Sequence, residues 1–370
     1  MTPTEHAYIA LLRHALWGET VASCPVNLRD LFHLAKVQKT RPLIVDVLLR
    51  SGVTVDETLN GEIEQFKIRS VSSHLFLDQK LAAVVLSLGE AGIASVLLKG
   101  QGLTPYYPAT YLRECGDIDL YVDEADYRRA CDIVLSGMGD RNRLDVHEDG
   151  KHFFIREGKM IIEIHRRALT LPDPDDDAWF AAFARDGLSR NLVPVEIYDI
   201  RINTPADSFN AVYIFLHAWE HFKGRGVGLR HLCDWALLLH GRHAHIDTEV
   251  IREALDRLHL WKAWQTFAAI AVDILGLPAD EMPFYTHSAA SRARKVVEIM
   301  MDEGDLGKFR PHILHRRKDY YGRKIQSLWA LGVKCFRLLF IFPGLAISMF
   351  RAGVKGGISK LHNTNNTETD

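Results

Sequence analysis

Residues 117–122 read DIDLYV, an apolar strand that carries two carboxylates, Asp117 and Asp119, one residue apart. In a β-strand, side chains at i and i+2 leave the same face about 7 Å apart, so the acids share one side while Ile118 and Leu120 take the other. Two like charges this close resist ionising together unless a cation or solvent separates them. The strand is therefore a surface accident or a cation site. If it is the second, the fold must set its acidic face on a cleft and its apolar face on a core.

Composition narrows the setting. The chain has 370 residues, 47% hydrophobic and 25% charged, which excludes a disordered protein and suffices for two or three cores. A net charge of -2 gives no global attraction for nucleic acid. The cysteines, Cys24, Cys115, Cys131, Cys233 and Cys335, are scattered and form no Cys-x-x-Cys, so neither a zinc knuckle nor a disulfide framework is indicated. That usage implies a reducing, cytoplasmic setting. The opening stretch sets Glu5 and His6 among apolar positions and lacks a small-residue cleavage site, so it reads as an amphipathic helix and not as a signal peptide.

Periodicity divides the chain. Apolar positions recur at helical spacing up to about residue 91, so 1–92 is expected to be a helical N-terminal region. From 93 the pattern changes to short apolar runs, IASVLLKG and DIDLYV, then a helical stretch at 125–139. A hairpin follows in KHFFIREGKMIIEIHRRA, around the turn at 157–159. This predicts a compact α+β unit over 93–170. The acidic loop LPDPDDDAWF leads into 171–305, expected to be a helical domain in which Thr204 caps a helix, Pro205 opens it and Asp207 follows the cap by three. A basic amphipathic segment at 306–362 and a disordered tail at 363–370 close the chain.

A divalent ion used in nucleotidyl transfer needs a few carboxylates, open water positions and substrate phosphates. Asp117 and Asp119 supply two. Glu163, between Ile162 and Ile164 in MIIEIHRRA, supplies a third on the same side as His165. In LLKGQGL, Gly100 and Gly102 flank Gln101 at a strand-to-helix junction, where backbone N–H groups can approach phosphate. Lys99 and Arg113 stand near enough to bind triphosphate oxygens or to be ordinary strand-end and loop cations. His165 reads either as a substrate contact or as a buried histidine bonded to the backbone.

The order of strand, Gly turn, helix, Asp-x-Asp strand and later carboxylate strand resembles the nucleotidyltransferase superfamily of DNA polymerase β. Within it, LLKGQGL, YYP, GDIDLYV and EIH are similar to a bacterial group of uncharacterised nucleotidyltransferases, as are LHAWEHF and LRHLCDWALLL downstream. The resemblance implies an α+β, polymerase β-like core with a mixed sheet, flanked by N-terminal and C-terminal helical regions. It implies Asp117 and Asp119 as metal ligands, Glu163 as the third carboxylate and Gly100 in the phosphate-binding turn. It further implies Mg2+ or Mn2+ as cofactor and a nucleoside triphosphate as co-substrate, with an acceptor attacking the α-phosphate and expelling pyrophosphate. The sequence departs from the superfamily in placing Gln101 after Gly100 and in a longer spacing to Asp117.

Other readings stay open. HAWEH, with His217, Glu220 and His221, matches an inverted zinc-protease pattern, although no third ligand is marked out downstream. The same helix read as a cleft wall would bring His217, His221, Lys223, Arg225 and Arg230 to the triphosphate or acceptor. A nucleotide- or partner-binding protein without turnover is the other alternative. Residues 308–355 hold eleven Lys or Arg against one acid, Asp319, and their longest uncharged apolar run is 13 residues. That is too short to span a bilayer and fits either a peripheral contact at the inner membrane face or a helix packed on the core. No nucleic-acid module is recognisable, and the acceptor, whether small molecule, peptide or glycan precursor, is left open.

Overall fold

The computed structural model describes residues 1–20, 26–51, 56–139, 144–150, 152–158, 160–224, 226–307, 319–351 and 353. Helices α1 (Pro3–Trp17), α2 (Leu28–Val37), α3 (Arg41–Ser51) and α4 (Glu57–Glu90) open the chain. The first begins on a capping box in which Thr2 and Glu5 satisfy each other's backbone N–H groups, with Pro3 inside the first turn. Strands β1 (Ser95–Leu97) and β2 (Asp117–Val122) follow, joined through a 3-10 turn at Gly100–Tyr106. Then come α5 (Tyr127–Ser136), β3 (Leu144–Glu148), β4 (His152–Glu157), β5 (Met160–His165) and α6 (Pro174–Gly187).

The seven strands form one mixed sheet in the order β3-β4-β5-β2-β1-β7-β6. At its centre β2 runs parallel to β5, with Asp119 beside Glu163 and Tyr121 beside His165, while β1 pairs antiparallel with β2. Strand alternation then sorts the side chains. Ile118, Leu120, Ile162 and Ile164 bury against Leu81 and Leu88 of α4 and Cys131 and Val134 of α5. The acidic face looks the other way, towards α7 (Asp207–Lys223) and α8 (Leu229–Arg242). These belong to a larger core built with α9 (Thr248–Arg257), α10 (Trp261–Ala269) and α11 (Ala290–Glu303), filled by Phe215, Trp235, Trp264 and Phe267.

The stretch 171–305, expected to be a helical domain, carries two strands besides its helices. A hairpin of β6 (Val193–Ile197) and β7 (Ile200–Thr204) extends the sheet, with β7 parallel to β1. Thr204 consequently ends a strand, donating its hydroxyl to the carbonyl of Val193 at 2.8 Å, and α7 starts at Asp207 after Ala206. The amide donors that Thr204 was expected to cap lie two residues further on.

Helix α12 (Tyr320–Leu339) exposes Ile325, Trp329 and Phe336 along one side, and Phe340 just past its end is exposed as well. Among the described residues no helix is long and apolar enough to cross a membrane. Of the basic segment 308–355, residues 308–318, 352 and 354–355 lie outside the described residues, as does the tail 363–370.

One buried ion pair ties the loop before β2 to α8. Arg113 Nε and Nη2 each donate to Asp234 at 2.8 Å, and the hydroxyl of Tyr107 donates to the same carboxylate at 2.7 Å. Removing one partner strands the other's charge in the interior, so Asp234→Ala should cost about 3–5 kcal/mol in a urea titration. The double variant Arg113→Met/Asp234→Leu should recover most of that loss. Equal destabilisation by both variants would show that the pair does more than neutralise itself.

Candidate active site

The in-register pairing of β2 with β5 brings one carboxylate oxygen each of Asp117, Asp119 and Glu163 within 4.8 Å of one another. Asp119 is fully buried; its Oδ1 accepts from His165 Nε2 at 2.9 Å and forms an ion pair with Lys99 Nζ at 3.1 Å. Its Oδ2 is buried and has no hydrogen-bond partner among the described residues. His165 Nε2 also lies 3.2 Å from Glu163 Oε2, and its ring stacks on His152, centroids 5.1 Å apart. Lys99 and His165 are thus the counter-charges that let a buried acidic cluster persist.

The protonation pattern follows from this packing. Burial opposes charge on His165, but its hydrogen bonds to Asp119 and Glu163 outweigh that and lift its pKa above the ordinary imidazole value. Burial also pushes Glu163 up, and the bond and charge of His165, with Lys99 and His152, more than offset it and leave the carboxyl below its usual range. For Lys99, Asp119 overcomes the desolvation cost and keeps the ammonium charged. Across the cleft, burial and the neighbouring Lys99 hold His217 well below its usual value; burial and Arg230 do the same to His231.

A cavity of about 110 Å³ separates the sheet from α7 and α8, with Lys99, Gly100 and Asp117 on one side and His217, His221, Arg230 and His231 on the other. Lys99 crosses it, reaching His217 Nε2 at 3.2 Å. Gly100 makes the turn at φ +62°, where an added Cβ would stand 3.3 Å from the backbone oxygen of Asp117. Gly102 is needed for a different reason, fitting between Leu97 and Thr204 with its Cβ position 3.2 Å from the Thr204 methyl.

Not every candidate from the sequence meets at this cavity with a free hand. Arg113 lines it, but its guanidinium fork is engaged by Asp234, so it holds the wall and is not a spare cation for phosphate. Gln101 is fully buried and neither amide atom has a hydrogen-bond partner among the described residues. Lys223 pairs with Glu220 at 2.6 Å, which also occupies the acid that the HAWEH reading required as a base. Arg225 lies outside the described residues. Sequence reasoning did not single out His152, His231, Asp234 or Asp305. A signal existed for His152, since a hairpin turning at Gly158 sets it opposite His165. The others reach the site only through helix packing.

A mixed sheet packed between helices is the α+β core expected of a nucleotidyltransferase. The chain belongs to the family of uncharacterised nucleotidyltransferases, whose profile it matches over residues 25–276. That span holds the entire sheet and helices α2 to α10, and it makes nucleotidyl transfer the class of reaction. Among solved structures, the solution structure of the antibiotic-resistance factor ANT(2'')-Ia is similar over 51% of this chain and 95% of its own, at 13% identity and a TM-score of 0.38. A likeness at that score carries no argument. No curated protein matches the chain.

The left-handed backbone at Gly100 generates a prediction. Gly100→Ala should lose about 1–2 kcal/mol of stability, the cost of forcing a Cβ into that conformation. Gly89→Ala, in α4 with nothing near its Cβ position, should gain about 0.5–1 kcal/mol. Urea melts of the two variants check both signs; a neutral Gly100→Ala would mean that the turn relaxes freely.

Proposed function

We propose that the protein is a metal-dependent nucleotidyltransferase that moves a nucleoside monophosphate from a nucleoside triphosphate to an acceptor and releases pyrophosphate. Asp117, Asp119 and Glu163 are the proposed metal ligands. The observation that carries this reading is their convergence within 4.8 Å, with the buried Asp119 Oδ2 left without a hydrogen-bond partner among the described residues. A set of carboxylate oxygens suits Mg2+ or Mn2+. Such an ion, when bound, offsets phosphate charge and aligns the attacking and leaving oxygens.

The chain's own groups divide the remaining work. Lys99, at the mouth of the Gly100 turn, sets a permanent positive charge beside the place where a triphosphate would lie, and the backbone N–H groups of that turn add neutral donors. His165 fixes the orientation of both Asp119 and Glu163 by bonding to each. Glu163 stays ionised, the state required of a ligand or of a proton acceptor for the incoming nucleophile. Arg230, its guanidinium 3.7 Å from Asp234, is the proposed charge on the helical wall of the cavity. The acceptor is a small molecule, a peptide or a glycan precursor bearing a hydroxyl, phosphate or amine.

The test supplies each α-labelled nucleoside triphosphate with Mg2+ or Mn2+ to the full chain plus a cell extract. Labelled product and pyrophosphate should form, and Asp117→Asn and Asp119→Asn should each lower the rate on the order of 10³-fold, a loss of several kcal/mol of charge stabilisation. Product formed equally by the Asp119→Asn variant would remove the carboxylates from the reaction. Metal-dependent nucleotide binding without transfer would favour the binding-protein alternative.

A further inference from the structure

A second donor set faces the carboxylates across the cavity. His217 and His221 stand one turn apart on α7, and His231 comes from the first turn of α8. One ring nitrogen from each lies within 4.8 Å of the other two. The Nε2 atoms of His217 and His221 are 3.3 Å apart. Two nitrogens bound to one tetrahedral zinc at about 2.0–2.1 Å would stand about 3.3–3.4 Å from each other.

The charges around the trio point the same way. Arg113 takes both oxygens of Asp234, and Arg230 lies 3.7 Å from the same carboxylate, so Asp234 serves the two arginines and not the histidines. Imidazole nitrogens offer lone pairs to a cation. Asp305 stands behind His231, in the field of Arg230. It is 4% exposed, and among the described residues its Oδ1 has no hydrogen-bond partner and its ion-pair neighbour is His231, with Nδ1 at 3.5 Å. A carboxylate behind a ligating histidine orients its ring and supports the bound cation.

We propose that His217, His221 and His231 bind one divalent transition-metal ion of the zinc class, with Asp305 orienting His231 and a fourth coordination position open to the cavity shared with Asp117. Three imidazoles select such an ion over magnesium, which prefers oxygen. Occupancy takes His217 Nε2 from the Lys99 ammonium and leaves Lys99 on Asp119. The site is independent of the nucleotidyl-transfer reading and does not require HAWEH to be hydrolytic, since Glu220 is paired with Lys223.

Cobalt(II) titrated into the chelator-treated full chain tests the proposal. One ion per chain should bind with the visible absorption of a four- or five-coordinate cobalt centre. The spectrum should persist in Asp117→Asn/Asp119→Asn and disappear in His217→Gln and His221→Gln. Asp305→Asn should weaken binding about 10–100-fold, as loss of a carboxylate behind a ligating histidine does. X-ray absorption on the zinc-loaded native chain gives a reading that no folding defect can imitate: imidazole scattering from three ligands is expected. No cobalt spectrum from the native chain, a spectrum lost with the aspartates and kept without the histidines, or an oxygen-only zinc shell would each overturn it.

Discussion

The parallel pairing of β2 with β5 is the constraint on which the rest depends. It sets Asp119 beside Glu163, and because strands alternate, it must also set Ile118 and Leu120 beside Ile162 and Ile164 on the opposite face. Those isoleucines and leucines, wholly buried against α4 and α5, fix the register. A slip by one residue would bury the acids in the apolar layer and expose the aliphatics, so the core itself holds the carboxylates together.

Holding them together has an electrostatic cost, and the surrounding side chains show how it is met. Lys99 and His165 both reach Asp119 Oδ1, and His165 extends to Glu163, so the cluster is compensated by groups that a phosphate or a metal could partly displace. Arg113 and Asp234 solve a separate problem. Their pair anchors the loop that leads into β2 to the helix that carries Arg230 and His231. The N-terminal helices share in this placement: Gln38 accepts from the backbone N–H of Leu229 at 3.0 Å and donates to the carbonyl of Met300 at 2.9 Å.

Much of the central sheet was legible in the sequence because local rules govern it. Alternation in DIDLYV and MIIEIH told which residues share a face, and Gly158 marked the hairpin that puts β4 beside β5. The β6–β7 hairpin was not legible. Its tight turn places Tyr198 and Asp199 in the left-handed region without a glycine, and Pro194 interrupts the strand pattern on what proves to be an edge strand. Thr204 misled for a related reason, since Thr-Pro before a helical run reads as a cap whether or not a strand ends there. Arg113 could be assigned to phosphate only while Asp234, 121 residues away, was unseen. The histidine trio is of the same kind. His217 and His221 are visible as an i, i+4 pair, but His231 joins them only through the packing of α8 on α7.

The most direct measurement is electron–nuclear double resonance on Mn2+ bound to the full chain with a non-hydrolysable nucleoside triphosphate analogue. The proposed carboxylate site predicts phosphorus nuclei coupled to the manganese, with the bound ion lost in Asp119→Asn and weakened in Glu163→Gln. Manganese that binds equally well in both variants, or that binds in the native chain without phosphorus coupling, would contradict a nucleotidyl-transfer centre built on Asp117, Asp119 and Glu163.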